Sequence, residues 1–350
     1  MTGALELLTV YLGERLGLYR ALHADGPATS AELAARTGTT ERYIREWLEH
    51  HAASGLLTVD DPAAEPSARR YALPPGHAPV LADTGDASYQ AHNGTEIVRA
   101  ARWIPEVAKA MRSGGAPPPL PWAPEGRPEF NRAVYLNQLG RQWLPAIADV
   151  DLRLRVEPPA RVADLACGTG WSSIAMAQAY PLISVDGFDL DTDAIQAARR
   201  NAEESGLADR VTFTVADASG PGTPGSDAPR SGASGRYDLV TILEGLHDMS
   251  RPAHTLRAAR GMLREPGCVL VADERVEEHF TAPASLEEQY HYAWSVVACL
   301  PAVMGDPDTA ATGAVLRPAT LRRYAREAGF QGLEVLPVAA GTLRFYRLTP

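Results

Sequence analysis

The run Asp164-Leu-Ala166-Cys-Gly168-Thr-Gly170 lies between a short apolar stretch, RVADLA (161–166), and a helical one, WSSIAMAQAY (171–180). Glycine lets a backbone turn sharply and lets a ligand approach it closely. The helix beyond presents free N–H groups at its start. A dinucleotide site built this way cradles a pyrophosphate and carries a third glycine. Here no third glycine follows, and an acid, Asp164, precedes the turn. A carboxylate at that point repels a diphosphate and suits a cation. Asp189 closes the next stretch, ISVDGFDL, nineteen residues after Gly170, with Leu190 beside it. An acid there can accept hydrogen bonds from ribose hydroxyls. Asp217 closes a third stretch, VTFTVAD, with Ala218 directly after it, where an adenine amine would be read. A nucleoside with a positive sulfur and a positive amine, S-adenosylmethionine (SAM), meets all of these requirements.

A second set of candidates follows the stretch YDLVTILE. Glu244 ends it, and GLHDM (245–249) places His247 and Asp248 at the same edge. Methyl transfer is an in-line displacement at carbon that needs alignment and, for many acceptors, removal of a proton. The ordinary pKa of histidine suits His247 for that base, with Asp248 orienting it or binding the acceptor. The insertion EEQYHYAWSVVACLPAVM (287–304) concentrates Tyr290, His291, Tyr292 and Trp294. At helical spacing His291, Trp294 and Ala298 share a face, which makes this segment a substrate wall. The catalytic candidates are therefore His247, Asp248 and His291. Two histidines and one carboxylate can also hold iron or zinc with open positions, so the same three are the candidate metal ligands.

These residues need a frame. From residue 161 short apolar stretches alternate with helical ones, which implies an α/β domain with a mostly parallel sheet. CVLVADE and TLRRYAREAGF continue the alternation, and LEVLPV and LRFYRLT, joined at AAG, add an antiparallel edge. A Gly-, Ser- and Pro-rich stretch (219–235) is an insertion. Residues 151–350 form this Rossmann-like domain, with 275–317 inserted as the substrate wall. Residues 84–150 are a helical linker broken by GGAPPPLPWAPEGRP (114–128), a lid candidate with Trp122 at its middle; EFNRAVYLNQLGRQWLPAIADV (129–150) reads as one helix.

Residues 1–83 are mainly helical. Leu5, Leu8, Leu12, Leu16 and Tyr19 recur at helical spacing, Ser30 and Thr40 stand as caps of two helices, and LLTV (56–59) and RYAL (70–73) form a hairpin: a winged-helix-like pattern. DNA readers need a positive face. This segment sets seven arginines against eleven acids, which argues against a nucleic-acid partner and for dimerisation or covering of the site. The net charge of −10 points the same way, and the single lysine, Lys109, reflects coding bias. No apolar run nears membrane length, the N-terminus lacks a signal-peptide pattern, and three unpaired cysteines (Cys167, Cys268, Cys299) suit a reducing compartment; the expectation is a cytoplasmic protein that binds no membrane.

DLACGTGW, GFDLD, VADA and ILEGLHDM, in that order and spacing, resemble the class I SAM-dependent methyltransferases. EWLEHHAASGLLT, RYALPPGHAPVLAD, FNRAVYLNQL, ADERV and WSVVACLP followed by RPATLRRYAREAGF extend the resemblance to bacterial small-molecule methyltransferases with an N-terminal winged-helix-like domain. The resemblance implies that Gly168 and Gly170 line the methionine part of SAM, Asp164 meets its amine, Asp189 its ribose, and Asp217 with Ala218 its adenine. It places Ala166, Leu190 and Glu244 at the same edge. It implies methylation of a small molecule in secondary metabolism, by a homodimer. Some similar enzymes methylate the carbon beside the keto group of an α-keto acid with a metal that binds the enolate. In that reading a histidine before CLP is a ligand; this chain has Ala298 there, and His291, two turns earlier, replaces it. A SAM-responsive DNA-binding regulator is the remaining alternative.

Overall fold

The computed structural model describes residues 2–119, 131–218 and 235–350. The lid candidate around Trp122 and nearly all of the 219–235 insertion lie outside the described residues. Two compact units result, one built on residues 2–102 with 131–134, the other on 103–119 and the described residues from 135 onward.

In the first unit α1 (Thr2–Arg15) ends where Gly17 takes a left-handed conformation, and α2 (Leu18–Asp25) follows. The turn puts Tyr19 into the core but leaves Leu5, Leu8 and Leu12 exposed on α1 and Leu16 exposed just beyond it. Thr29, not Ser30, caps α3 (Ser30–Thr37). Its side chain accepts from the Glu32 N–H while Glu32 accepts from the Thr29 N–H, a reciprocal box that Ser30 cannot complete. Thr40 precedes α4 (Glu41–Ala53) without a side-chain cap. The wing is short: β1 (Thr58–Val59) pairs antiparallel with β2 (Tyr71–Ala72). Leu18, Leu33, Ile44, Leu48 and Tyr71 close the core. On α4, Arg42 is paired with Glu46 and Arg45 with Glu41, and Arg69 reaches Glu49. The arginines that a DNA reader would turn to phosphate are thus engaged by acids of the same unit. The short α5 (Ala78–Leu81) and the start of α6 (Asn93–Ser113) complete it.

The second unit is the expected α/β domain. After a single turn, α7 (Arg132–Val134), which belongs to the first unit, residues expected as one helix become a π-helix over Tyr135–Trp143 and then α8 (Ala148–Arg155). The wider coil is tied to close packing: a Cβ at Gly140 would lie 2.2 Å from the Cβ of Ala179. The seven-stranded sheet contains β3 (Arg161–Leu165), β4 (Ser184–Asp189), β5 (Val211–Val215), β6 (Tyr237–Leu243), β7 (Leu263–Glu274), β8 (Gly332–Ala340) and β9 (Leu343–Thr349), in the order β5-β4-β3-β6-β7-β9-β8. Strands β3 to β7 are parallel, and β9 joins antiparallel between β7 and β8. Four helices follow strands: α9 (Trp171–Ala179), α10 (Thr192–Glu204), α11 (Pro252–Met262) and, beyond the insertion, α14 (Pro318–Glu327). The core between sheet and α11/α14 is apolar throughout, with Val240, Ile242, Leu256, Val269, Val271, Leu321 and Tyr346 fully buried.

This topology fixes where ligands bind. The chain leaves β3 toward one edge and returns through β6 on its other side, so the sheet order reverses between them. In open α/β sheets the crevice lies beyond the carboxyl ends of the strands at such a reversal. The helical insertion, α12 (Leu286–Trp294), a π-turn over Ser295–Cys299 and α13 (Leu300–Val303), follows β7 and packs near the loop after β6.

Candidate active site

At the carboxyl end of β3 the chain turns through three left-handed residues, Ala166, Gly168 and Gly170. Ala166 pays for that conformation without being glycine, a form of strain that gathers at ligand sites. The turn is held by its neighbours. Cys167 N–H donates to the Phe188 carbonyl at 3.1 Å, Gly168 N–H to Asp189 Oδ2 at 2.8 Å, and Asn201 Nδ2 to the Thr169 carbonyl at 3.0 Å. The two glycines differ. A Cβ on Gly168 would meet nothing within 4 Å, so that face is open to a ligand. A Cβ on Gly170 would lie 2.5 Å from Phe213 and 2.9 Å from Ala198, so Gly170 serves packing of the turn against β5 and α10. Gly187, which the sequence reading passed over, is needed for the same reason: its Cβ would strike Phe213 and the Cys167 sulfur.

Asp164 does not face the crevice. It is 1 % exposed, and its carboxylate accepts from the hydroxyls of Ser172 (2.6 Å), Ser173 (2.7 Å) and Thr241 (2.7 Å). Burial pushes its pKa up, and the three hydroxyls offset part of that. The expected contact with a cationic amine gives way to a polar knot that ties β3 to the start of α9 and to β6. Asp189 remains partly exposed; its second oxygen accepts from Asp191 N–H at 2.9 Å. Leu190 follows it at 68 % exposure, an apolar seat at the crevice edge. Asp217 and Ala218 are half-buried after β5.

The other half of the site gathers at the ends of β6 and β7. Glu244 takes a left-handed conformation (φ 54°) and accepts a 2.8 Å hydrogen bond from the Tyr135 hydroxyl; burial raises its pKa, and the tyrosine opposes the shift. Tyr135 opens the π-helix, a feature that recurs at functional sites. His247, nearly buried, stands on a single turn of 3₁₀ helix (Leu246–Asp248). Its Nδ1 lies 2.8 Å from Asp273 Oδ1, and its backbone N–H lies 3.3 Å from Asp273 Oδ2. Asp273 is fully buried and also accepts from Glu274 N–H. Burial would depress the His247 pKa. The Asp273 charge, with Asp248 behind it, outweighs burial and holds it well above the usual value. The Nε2 atom lies 3.4 Å from Asp248 Oδ1, and Cys299 contacts the same ring.

The structure departs from the sequence reading in His247's partners. Asp273 orients His247, while Asp248 is half-exposed and more distant. The expected ligand set His247, Asp248 and His291 does not come together. Among the described residues the group able to converge on an ion is His247, Asp248 and Cys299, with donor atoms within 4.8 Å of one another. Hydrogen bonding over Ser295–Cys299 is π-type, so each turn there takes an extra residue. The inward face then runs His291, Ser295, Cys299 rather than His291, Trp294, Ala298. His291 instead meets Glu274, Nδ1 to Oε2 at 3.3 Å. Tyr290 and Trp294 pack edge to face at 6.2 Å.

Comparison with known proteins agrees with this geometry. A family profile described as "Methyltransferase domain" matches residues 157–328, and one described as "Rv2258c-like winged HTH domain" matches residues 3–83. The chain is 30 % identical over 217 residues to the ubiquinone biosynthesis O-methyltransferase of Aromatoleum aromaticum, covering 61 % of this chain and 80 % of that protein. Human N-acetylserotonin methyltransferase in complex with SAM has the same fold at 18 % identity, with a TM-score of 0.69 over 99 % of this chain and 94 % of that one. So does an O-methyltransferase from neocarzinostatin biosynthesis in complex with SAM and 2-hydroxy-5-methyl naphthoic acid, at 19 % identity and a TM-score of 0.61, covering 98 % and 95 % of the two chains. No helix among the described residues is long and apolar enough to cross a membrane.

Proposed function

The chain belongs to the SAM-dependent methyltransferases, and from that premise we propose that it methylates a hydroxyl of a small organic acceptor, with His247 as general base and Asp273 as its orienting partner. The observation that carries this reading is the His247–Asp273 pair: a 2.8 Å contact from a fully buried carboxylate to Nδ1 fixes a ring hydrogen there, so that the ring, once neutral, turns its Nε2 lone pair to the acceptor. Gly168's open face suits the methionyl part of SAM, Asp189 its ribose, and Leu190 with Asp217 and Ala218 its adenine. Ala166 shapes the turn, and Glu244 with Tyr135 closes the site toward the acceptor. Asp164 acts by holding that turn in place.

SAM supplies an electrophilic methyl group on a positive sulfur. His247 Nε2 takes the acceptor's hydroxyl proton as an oxygen lone pair forms the new O–C bond; the C–S electrons stay on sulfur, leaving neutral S-adenosylhomocysteine (SAH). The positive charge lost at sulfur reappears on the imidazolium, where Asp273 stabilises it until the proton passes to solvent. A base of this strength removes a phenolic or enolic proton far more readily than an aliphatic one, which favours a phenol-type acceptor of secondary metabolism. The test is SAH release and product mass against a panel of hydroxylated aromatic acids and quinones. A methyl ether made by the wild type and lost in His247→Ala is expected; a C- or N-methyl product, or a His247→Ala enzyme at full rate, overturns the reading.

A second reading, metal-assisted C-methylation of an α-keto acid, draws on the convergence of His247, Asp248 and Cys299. A thiol in place of a second histidine suits zinc better than iron. Stoichiometric metal by elemental analysis, with activity lost on chelation, would favour it. For the assembly, the exposed leucines of α1 favour a homodimer; sedimentation of Leu8→Glu/Leu12→Glu as a monomer is the expected result, and a wild-type monomer refutes it.

A further inference from the structure

His291 is 3 % exposed, and its Nε2 is buried without a hydrogen-bond partner among the described residues. Its other nitrogen is taken, by Glu274 at 3.3 Å. His291 and His247 are close enough to influence each other's charge. Which way the free nitrogen acts follows from its surroundings. Glu244, Asp248, Asp273 and Glu274 crowd this edge, and burial together with Glu244 and Asp273 pushes the Glu274 carboxyl up to about 8. A carboxyl that keeps its proton is 3.3 Å from Nδ1 and can donate to it, an arrangement that leaves the ring hydrogen on Nε2. Burial also lowers the His291 pKa, which keeps the ring neutral. Nε2–H is then a buried donor awaiting an acceptor atom, beside the Tyr290–Trp294 wall.

We propose that His291 determines acceptor specificity by donating from Nε2 to a second oxygen of the substrate, so that the preferred acceptor is an aromatic or quinonoid molecule carrying a carbonyl oxygen in addition to the hydroxyl methylated at His247. This rests on the general-base reading above, but its readout is separable from it. A site built to hydrogen-bond a substrate group discriminates against the analogue lacking it, because its own polar atom is then left unpaired.

The experiment is calorimetric binding of 2-hydroxy-1,4-naphthoquinone and of 2-naphthol to SAH-loaded full-length protein. The wild type is expected to prefer the quinone by about tenfold or more. His291→Ala should erase that preference and, in turnover, raise KM more than it lowers kcat. His291→Gln, which retains an N–H donor, should restore part of it and shows that the loss is not misfolding. His247→Ala should abolish turnover but keep the binding preference. Equal affinity of the wild type for the two probes, absence of binding included, overturns the proposal, as does a His291→Ala protein with undiminished preference. Turnover surviving in His247→Ala sinks the general-base reading and leaves the binding result standing.

Discussion

Replacing Asp273 with asparagine isolates the step that sets the site apart from a mere SAM pocket. Asp273 accepts from three N–H groups: His247 Nδ1–H and Glu274 N–H at Oδ1, and His247 N–H at Oδ2. Asparagine has one oxygen, so its amide must face a donor with a donor at one of these points. The charge matters more than the shape. At an effective dielectric of about 20, opposite unit charges 2.8 Å apart attract by roughly 6 kcal/mol, enough to outweigh the burial of the histidine. Without it the imidazolium formed during methyl transfer is unsupported, and the rate should fall by between about 10² and 10⁴, the range general-base catalysis covers. The pH profile gives a second readout. Only the neutral ring can take a proton, so the wild-type rate rises with pH, with its limb above the ordinary histidine value. In Asp273→Asn the largest charge opposing burial is gone, Asp248 and Cys299 only partly replace it, and the limb moves to lower pH. The assay is initial SAH release from pH 5 to 10 with a phenolic acceptor, with SAH affinity measured in parallel. A variant whose rate and limb both match the wild type would refute the assignment of Asp273, and an unchanged limb with a lowered rate would refute the electrostatic part of it.

Three other expectations follow from the same contacts. Gly170→Ala combines a left-handed conformation with an overlap on Phe213 and should cost roughly 2–4 kcal/mol of stability in a denaturant melt, whereas Gly168→Ala, facing open space, should cost about 1 kcal/mol and act mainly on SAH affinity; the reverse pattern would contradict the division of labour between the two glycines. Asp189→Ala should weaken SAH binding by about tenfold or more, because it removes the expected ribose acceptor and the anchor of Gly168 N–H together; calorimetry showing unchanged affinity would remove Asp189 from the cofactor site. In the first unit His51 is buried between the Tyr19 hydroxyl and the Trp47 carbonyl, and burial pushes its pKa down to about 4. The unfolded chain binds a proton at about 6.5, so this contribution is complete above that pH and is lost as pH falls toward 4, by about 3 kcal/mol. His51→Phe should flatten that part of the pH–stability curve, and an unaltered curve would show that His51 does not set it.

What could be read from the chain before its structure depended on how local the determining contacts are. The turn from Asp164 to Gly170 is a strand, a bend and a helix in sequence order, so its place in the fold was legible from residue types alone. The inner face of the insertion was not. Three- and four-residue spacing put His291, Trp294 and Ala298 together, and a π-turn over five residues moved Cys299 to the base instead. Nothing in SVVAC announces that turn, because it is imposed by packing against neighbours and not by the propensities of its own residues. Asp164 shows a related limit: its type suggested a ligand for a cation, but the hydroxyls that engage it come from α9 and β6, the latter 77 residues away.

Asp273 shows the same limit at the centre of the site. It lies 26 residues beyond His247, at the end of the neighbouring strand, and reaches the ring only because β6 and β7 pair with Leu243 opposite Ala272. The Glu244 N–H bond to the Ala272 carbonyl extends that register by one step. A slip of one residue would turn Asp273 to the other face of the sheet and leave His247 without its charge. The register is set in turn by apolar residues that never approach a ligand, Leu239, Val240 and Ile242 against Cys268, Val269 and Val271. The proposed catalytic pair is therefore a product of sheet packing: core substitutions that shift β6 against β7 should abolish methyl transfer while the proposed SAM half of the crevice, on β3 and β4, continues to bind.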